Sequence, residues 1–273
     1  MAKKSNINFH QTFKPEVNYI ASLLELADGR TLKDLQEISS YTGIPQGSSS
    51  GKVEPHLNYA KYMGLIEWQK SSEGYVLMRT DLGELVYNED PGLQENLTLI
   101  ICHCMISRAE LGAQMWSSLF LDILPRYTGN ISKDFLIEEL GAITGSKVSS
   151  KNIAPLLNSY NDMFATIEVL DLDGDIIRLG KIKVNRELIY VFAWVLQVMW
   201  NEKYKQQDEI TSIQLDDLKF GSLFGWGKQL EYEILERLAE KELIRMNRQL
   251  VPYTIYRMAD EKELLLKLYS ELF

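Results

Sequence analysis

The chain has 273 residues, of which 45% are hydrophobic and 25% charged. That balance excludes a disordered chain, a collagen-like repeat and a low-complexity Pro/Gly protein. Its 29 lysines and arginines against 38 aspartates and glutamates leave a formal net charge of −9. A whole surface that coats nucleic acid is therefore excluded, but a local basic site is not.

In chain order, Pro15 opens an amphipathic run, Val17, Ile20, Leu23, Leu24 and Ala27, that ends at Asp28-Gly29. Thr31 is read as the cap of a short helix over residues 32–40. Residues 41–51 are rich in turn formers, and a third helix is expected from about Lys52 to Met63, stopping at Gly64. Residues 65–69 and 75–79 have strand character, and Thr80 begins another helix. Helix, helix, turn, helix, hairpin is the order of a winged helix-turn-helix module. Residues 93–108 read as a buried connector to a second copy. There Lys33-Asp34-Leu35 recurs as Lys133-Asp134-Phe135, Thr42-Gly43 as Thr144-Gly145, and Pro55 with Leu57-Asn58 as Pro155 with Leu157-Asn158. A hairpin around Asp173-Gly174 follows. Convergent punctuation would give the same local architecture as an internal repeat.

The last third reads as a divergent copy: an apolar helix over 188–204, short helices to residue 241, a hairpin over 243–258 and a Leu-rich terminal helix. The expected fold is mainly α with small β-hairpins (α+β), as three tandem winged helix-turn-helix-like modules at residues 1–91, 92–187 and 188–273. The longest apolar run carries Gln197 and is short for a bilayer, and the first residues lack the apolar stretch of a signal peptide. Cys102 and Cys104 are too few for a disulfide framework. These features predict a soluble, cytoplasmic protein without membrane contact.

Helical periodicity assigns Val53, Leu57, Ala60 and Gly64 to the core side of the third helix. The opposite side would show Pro55, Asn58, Tyr59 and Tyr62, with Lys52 at the helix start and Ser49 and Ser50 just before it. Such groups can bond to bases or phosphates, and the alternative is a helix packed on a neighbouring module. The second copy is more basic, with Lys147 and Lys151 and no acid between Gly145 and Tyr160, and an outward face of Lys151, Pro155, Asn158 and Ser159. The third copy's helix carries five glutamates against three basic residues, so phosphates would be repelled, but its hairpin offers Arg245, Arg248 and Arg257.

Other motifs fail on spacing. Gly47-Ser-Ser-Ser-Gly51-Lys52 is one residue short of a Walker A loop and is followed by Val53. Cys102-His103-Cys104 lacks zinc-ligand spacing and reads as core, and His10 and His56 read as packing or surface residues. Asp171, Asp173 and Asp175 are the dense carboxylate group, the candidate for Mg²⁺-assisted phosphodiester cleavage. An Asp-Gly hairpin tip explains the same residues without metal.

The segments Phe9-His-Gln-Thr-Phe13-Lys-Pro15-Glu16, Thr42-Gly-Ile-Pro-Gln-Gly47, Ser50-Gly-Lys-Val53, Tyr59-Ala60 and Met63-Gly-Leu-Ile66 resemble the SspB-type component of bacterial DNA phosphorothioation systems. The specific part covers about the first third of the chain. The resemblance implies a defence system in which a cysteine desulfurase supplies sulfur and an ATP pyrophosphatase-like protein and an ATPase act alongside. This component is associated with DNA nicking. The leading expectation is thus a DNA-binding, nicking subunit, a metal-dependent endonuclease if the nicking is intrinsic. DNA, those three proteins and a second copy are its candidate partners. The alternatives are a non-catalytic scaffold that recruits sulfur-transfer partners to DNA, and a transcriptional regulator.

Overall fold

The first helix, α1 (Val17–Leu26), turns Ile20, Leu23, Leu24 and Leu26 inward, as its 3–4 residue spacing requires. β1 (Asp28–Leu32) follows directly. The side chain of Asp34 accepts the backbone N–H groups of Gln36 and Glu37, which fixes the start of α2 (Leu35–Thr42). Gly43, at φ 71°, ends it in the left-handed conformation that glycine adopts without strain. α3 (Val53–Tyr62), β2 (Ile66–Lys70) and β3 (Tyr75–Arg79) complete the unit, and Thr80 caps α4 (Asp81–Glu89). β3 pairs antiparallel with both other strands, so the sheet order is β1-β3-β2. This computed structural model describes residues 7–48, 50–127, 130–249 and 251–272.

The same run recurs twice. α5 (Asn96–Ser107), α6 (Gln114–Ser117), a π-helical stretch Ser118–Ile123 and α7 (Leu124–Arg126) lead to β4 (Asn130–Ser132). α8 (Lys133–Thr144), α9 (Ser150–Asn161), β5 (Leu170–Asp173) and β6 (Ile176–Leu179) follow, with sheet order β4-β6-β5. α10 (Ile189–Tyr204), β7 (Glu209–Thr211), α11 (Ser212–Leu218), α12 (Phe220–Leu223) and α13 (Lys228–Glu240) precede β8 (Ile244–Asn247) and β9 (Thr254–Arg257), in the order β7-β9-β8. α14 (Glu261–Leu266) closes the chain. The architecture is mixed helix and small antiparallel sheet. The first strand of each sheet was not foreseen: Thr31 belongs to β1, and Asp34 supplies the cap expected of Thr31.

α5 is apolar all round and is buried from Leu97 through Ser107, the condition under which such a helix is stable in water. At its start the buried carboxylate of Asp90 accepts the N–H groups of Gln94 (2.9 Å) and Glu95 (3.0 Å) and the Thr98 hydroxyl (2.6 Å). Thr98 is also bonded to the Tyr269 hydroxyl at 2.7 Å, tying the end of the chain to this helix. In its middle Cys102, His103 and Cys104 are buried, as the core reading expected. His103 Nε2–H donates to the Leu223 carbonyl at 2.8 Å, so Nδ1 of the neutral ring accepts the Tyr160 hydroxyl at 2.7 Å. One imidazole thus joins α5 to the second and third repeats. Among the described residues no helix is long and apolar enough to cross a membrane.

Burial lowers the pKa of both His10 and His103 from 6.5 to about 4. A neutral buried ring stabilises the fold fully above the unfolded value, and that stability is lost as pH falls towards 4. Chemical unfolding at pH 7 and pH 5 should therefore show the lower stability at pH 5. His103→Phe should cost about 2–4 kcal/mol at pH 7, because it strands two buried partners, and should flatten part of the pH dependence. A variant as stable as the wild type would contradict this role.

Candidate nucleic-acid interface

α3 does not present the face that periodicity assigned to it. Val53, Pro55, His56, Leu57, Tyr59 and Ala60 are all buried. Phe9, Phe13 and Trp116 cover the side opposite the first repeat's core. Tyr59 donates its hydroxyl to the Phe13 carbonyl at 2.9 Å and meets the rings of Phe9 and Trp116 edge-on at 4.9 and 5.9 Å. Burial pushes its phenol pKa well up. Tyr59 is therefore a core residue, and the expectation that it and Pro55 face outward is corrected. Tyr62 is half-buried against Phe9 at 4.7 Å, and Asn58 is half-buried.

Lys52 is held as well. Its ammonium lies 2.6 Å from Glu16 Oε1 and over the rings of Phe13 and Tyr19 at 5.7 and 5.5 Å. The bond to Glu16 favours the charged form and raises its pKa. The preceding loop satisfies its own backbone: Lys52 N–H donates to Pro45 and Gly47 N–H to Ser50, both at 2.8 Å. Ser50 is exposed beside it, and Ser49 lies outside the described residues.

The second repeat is arranged differently. Ser149 and Asn152 cap α9 reciprocally, and Pro155, Leu156, Leu157, Ser159 and Tyr160 turn inward. Pro155 and Ser159, expected outside, are thus core residues, and the Ser159 hydroxyl is used on the Leu156 carbonyl at 2.6 Å. Lys147, Lys151 and Asn158 are exposed. Several of the repeat's carboxylates pair elsewhere, Glu139 with Arg126, Glu168 with Lys183, Asp171 and Asp173 with Arg178, Asp175 with Lys133 and Asp162 with Lys14, while Asp134 and Glu138 are exposed on α8. Among the described residues Lys147 and Lys151 have no carboxylate partner. Two neighbours were not singled out from sequence. Exposed Asn161 stands three residues beyond Asn158 and was legible from helical spacing. Lys14 reaches this helix only through tertiary docking, by its pair with Asp162, while Asn152 bonds to Asn8.

In the third repeat Arg245 is exposed over the Tyr256 ring at 4.6 Å, and Arg248 pairs with Glu236 at 2.9 Å over Tyr232. Arg257 is half-buried and bonded to Asn201. Of the helix's glutamates, Glu231 is buried, accepting the Gly221 N–H at 2.7 Å and Lys228 at 2.9 Å.

The carboxylate candidate does not assemble as a metal site. Asp171 stands directly across from Arg178 in the β5–β6 ladder. The Arg178 guanidinium takes Asp171 at 3.1 Å and Asp173 at 2.9 Å, and Asp175 lies 3.7 Å from Lys133. A guanidinium occupies the place a cation would need. Among the described residues no three His, Cys, Asp or Glu side chains are grouped to hold a metal ion. These three carboxylates therefore do not fit a Mg²⁺ centre.

No family model and no curated protein sequence matches the chain. Two solved structures do match in fold. One, described as a magnesium ion-bound SspB crystal structure, superposes with a TM-score of 0.77 at 12% identity, over 97% of this chain and 87% of its own. The other, an SspB crystal structure, gives 0.74 at 12% identity over the same shares. With similarity extending over nearly its whole length, the chain has the SspB-type fold.

Proposed function

We propose that this chain is a DNA-binding component of a bacterial DNA phosphorothioation system, built as three winged-helix modules at residues 1–91, 92–187 and 188–273. The strand order recurring in all three sheets supports the modular reading. The N-terminal motifs and the fold shared with SspB support the system. The observation that carries DNA contact is the exposed, acid-free start of α9. Among the described residues Lys147 and Lys151 there lack carboxylate partners, whereas Lys52, at the equivalent place in the first module, is committed to Glu16.

The duplex then lies along α9, with Lys147 and Lys151 on phosphates and Asn158 and Asn161 within reach of bases or sugars. Lys14, beside Asp162, borders the same face. Ser50, Asn58 and Tyr62 of the first module contribute at its margin. Arg245 touches the backbone from the third module's wing, with Arg248 beside it. On α13 Glu240 is exposed and Glu233 and Glu236 are half-buried. These carboxylates repel phosphate, so that module takes the protein contact: the cysteine desulfurase, the ATP pyrophosphatase-like protein, the ATPase or a second copy. With a net charge of −9, intrinsic affinity is weak and assembly supplies the remainder.

Nicking belongs to this reading as an activity to be measured, with no step assigned to a metal. One of the SspB structures sharing this fold is described as magnesium-bound, so the assay is run with and without Mg²⁺. Pure protein is incubated with supercoiled plasmid. Any nicking should persist in the combined Asp171→Asn, Asp173→Asn and Asp175→Asn variant, because those carboxylates serve Arg178 and Lys133. Its loss would restore them as the reactive group. Absence of nicking from folded wild-type protein would favour a scaffold.

For binding, the Lys147→Glu and Lys151→Glu double variant should weaken association with every duplex sequence. The slope of log K against log salt should shrink by about one for each lost phosphate contact. Lys52→Met should leave the slope unchanged. An unaltered slope in the double variant would remove α9 from the interface.

A further inference from the structure

Where α5 ends, the chain forms a cleft that none of the surfaces above uses. Arg108, Val198 and Glu261 line two adjoining cavities of about 340 and 750 Å³. Helical spacing builds one wall: Trp194, Val198, Asn201 and Glu202 share a face of α10. Leu82 of the first repeat and Leu265 of α14 close the smaller cavity. The site thus lies where the three repeats meet, a common place for ligand pockets.

The polar atoms of this wall are poorly matched. Trp194 is 4% exposed, yet its indole N–H has no acceptor. The Arg108 side chain is 13% exposed; Nη1 rests on the Met105 sulfur at 3.0 Å. Its Nε lies 3.1 Å from Glu202 Oε1, close enough for ion-pair attraction but out of line for a hydrogen bond. Asn201 accepts from Arg257 and donates to Glu261 at 2.6 Å. Behind it, Arg257 keeps Nε and Nη2 buried without acceptors.

Buried donors without acceptors are rare, and here they cluster. Trp194 Nε1, Arg108 Nε and Arg257 Nε and Nη2 make no hydrogen bond, and they stand against one carboxylate oxygen in the same condition, Oε1 of Glu202, which is already ion-paired with Arg108. Gln197, buried on the same helix with both amide atoms unpaired, carries a donor and an acceptor and leaves that imbalance unchanged. The missing component is an acceptor. Charge limits its size: the lining carries Lys61, Arg108, Lys205 and Lys262 against Glu67, Asp81, Glu110, Glu202 and Glu261, and Arg257, outside the lining, is bonded to Asn201. A near-neutral site takes a monoanion better than a polyanion. We infer that this cleft binds a small, singly charged phosphoryl group, whose oxygens accept from Arg108 and Trp194 with Arg257 adding positive charge behind Asn201. A carboxylate ligand has fewer oxygens to meet the same donors. The inference does not rest on the α9 interface, which shares none of these residues.

The test is titration calorimetry of the full chain with inorganic phosphate. Binding is expected, weakened roughly tenfold in Trp194→Phe, which keeps the ring and removes one donor, and lost in Arg108→Gln. Because Arg108→Gln also disturbs an ion pair, Trp194→Phe is the deciding variant, with its fold checked by circular dichroism. No phosphate binding by folded wild type, or equal affinity in wild type and Trp194→Phe, would overturn the site. Displacement of phosphate by a dinucleotide phosphodiester would support a nucleic-acid backbone as the source. Phosphate binding that the dinucleotide does not disturb would support a free phosphate compound in the same place.

Discussion

The imidazole of His103 is the interaction on which the arrangement of the repeats depends. It sits in the middle of a helix with no solvent-facing side, and its two nitrogens are spent on the second and third repeats. A small α/β unit of this kind buries little surface alone. Three of them placed around one apolar helix share a core. That solution needs a buried polar group that is satisfied on both sides, because one unpaired nitrogen in so dry a place would cost more than the bond contributes. Asp90 plays the same part at the helix start, where its carboxylate gathers two N–H groups and a hydroxyl and reaches Tyr269 through Thr98.

The order of elements was legible because its signals are local. Pro15, Gly43, Gly64 and the turn residues before Gly74 punctuate the first repeat, and matching residues about a hundred positions later do so for the second. The first strand of each sheet was not legible. β1 is exposed at every position except Leu32, so it shows no alternation, and β4 and β7 have only three residues each. Their pairing to β3, β6 and β9 is decided by the hairpins they join.

The same division explains the site. Lys151 and Asn158 lie outward as helical spacing implied, whereas Pro155 and Ser159, assigned to the same face, are buried. Tyr59 and Pro55 fail in the same way, because the positions buried on α9, 153, 155–157, 159 and 160, have buried counterparts at 53, 55–57, 59 and 60 on α3. The partners that cover the second face of α3, Phe9, Phe13 and Trp116, come from segments distant along the chain. Pairing was equally hidden. The sequence places Lys52 beside small polar residues, and only the fold brings Glu16 to it. A surplus of carboxylates therefore does not act as a uniform field: Glu16 cancels one lysine, while Lys151 stands clear.

The three sheets carry a further consequence. In each, the second strand of the hairpin is central, which leaves β1 and β2, β4 and β5, and β7 and β8 as edges. Those edges are three to five residues long, and all but β4 bear charge: Asp28 and Arg30, Glu67 and Lys70, Asp171 and Asp173, Glu209, and Arg245. Short, charged borders offer a poor template for another chain's backbone. A molecule with three small sheets can accordingly remain dispersed when crowded, without its ribbons zipping together into fibres.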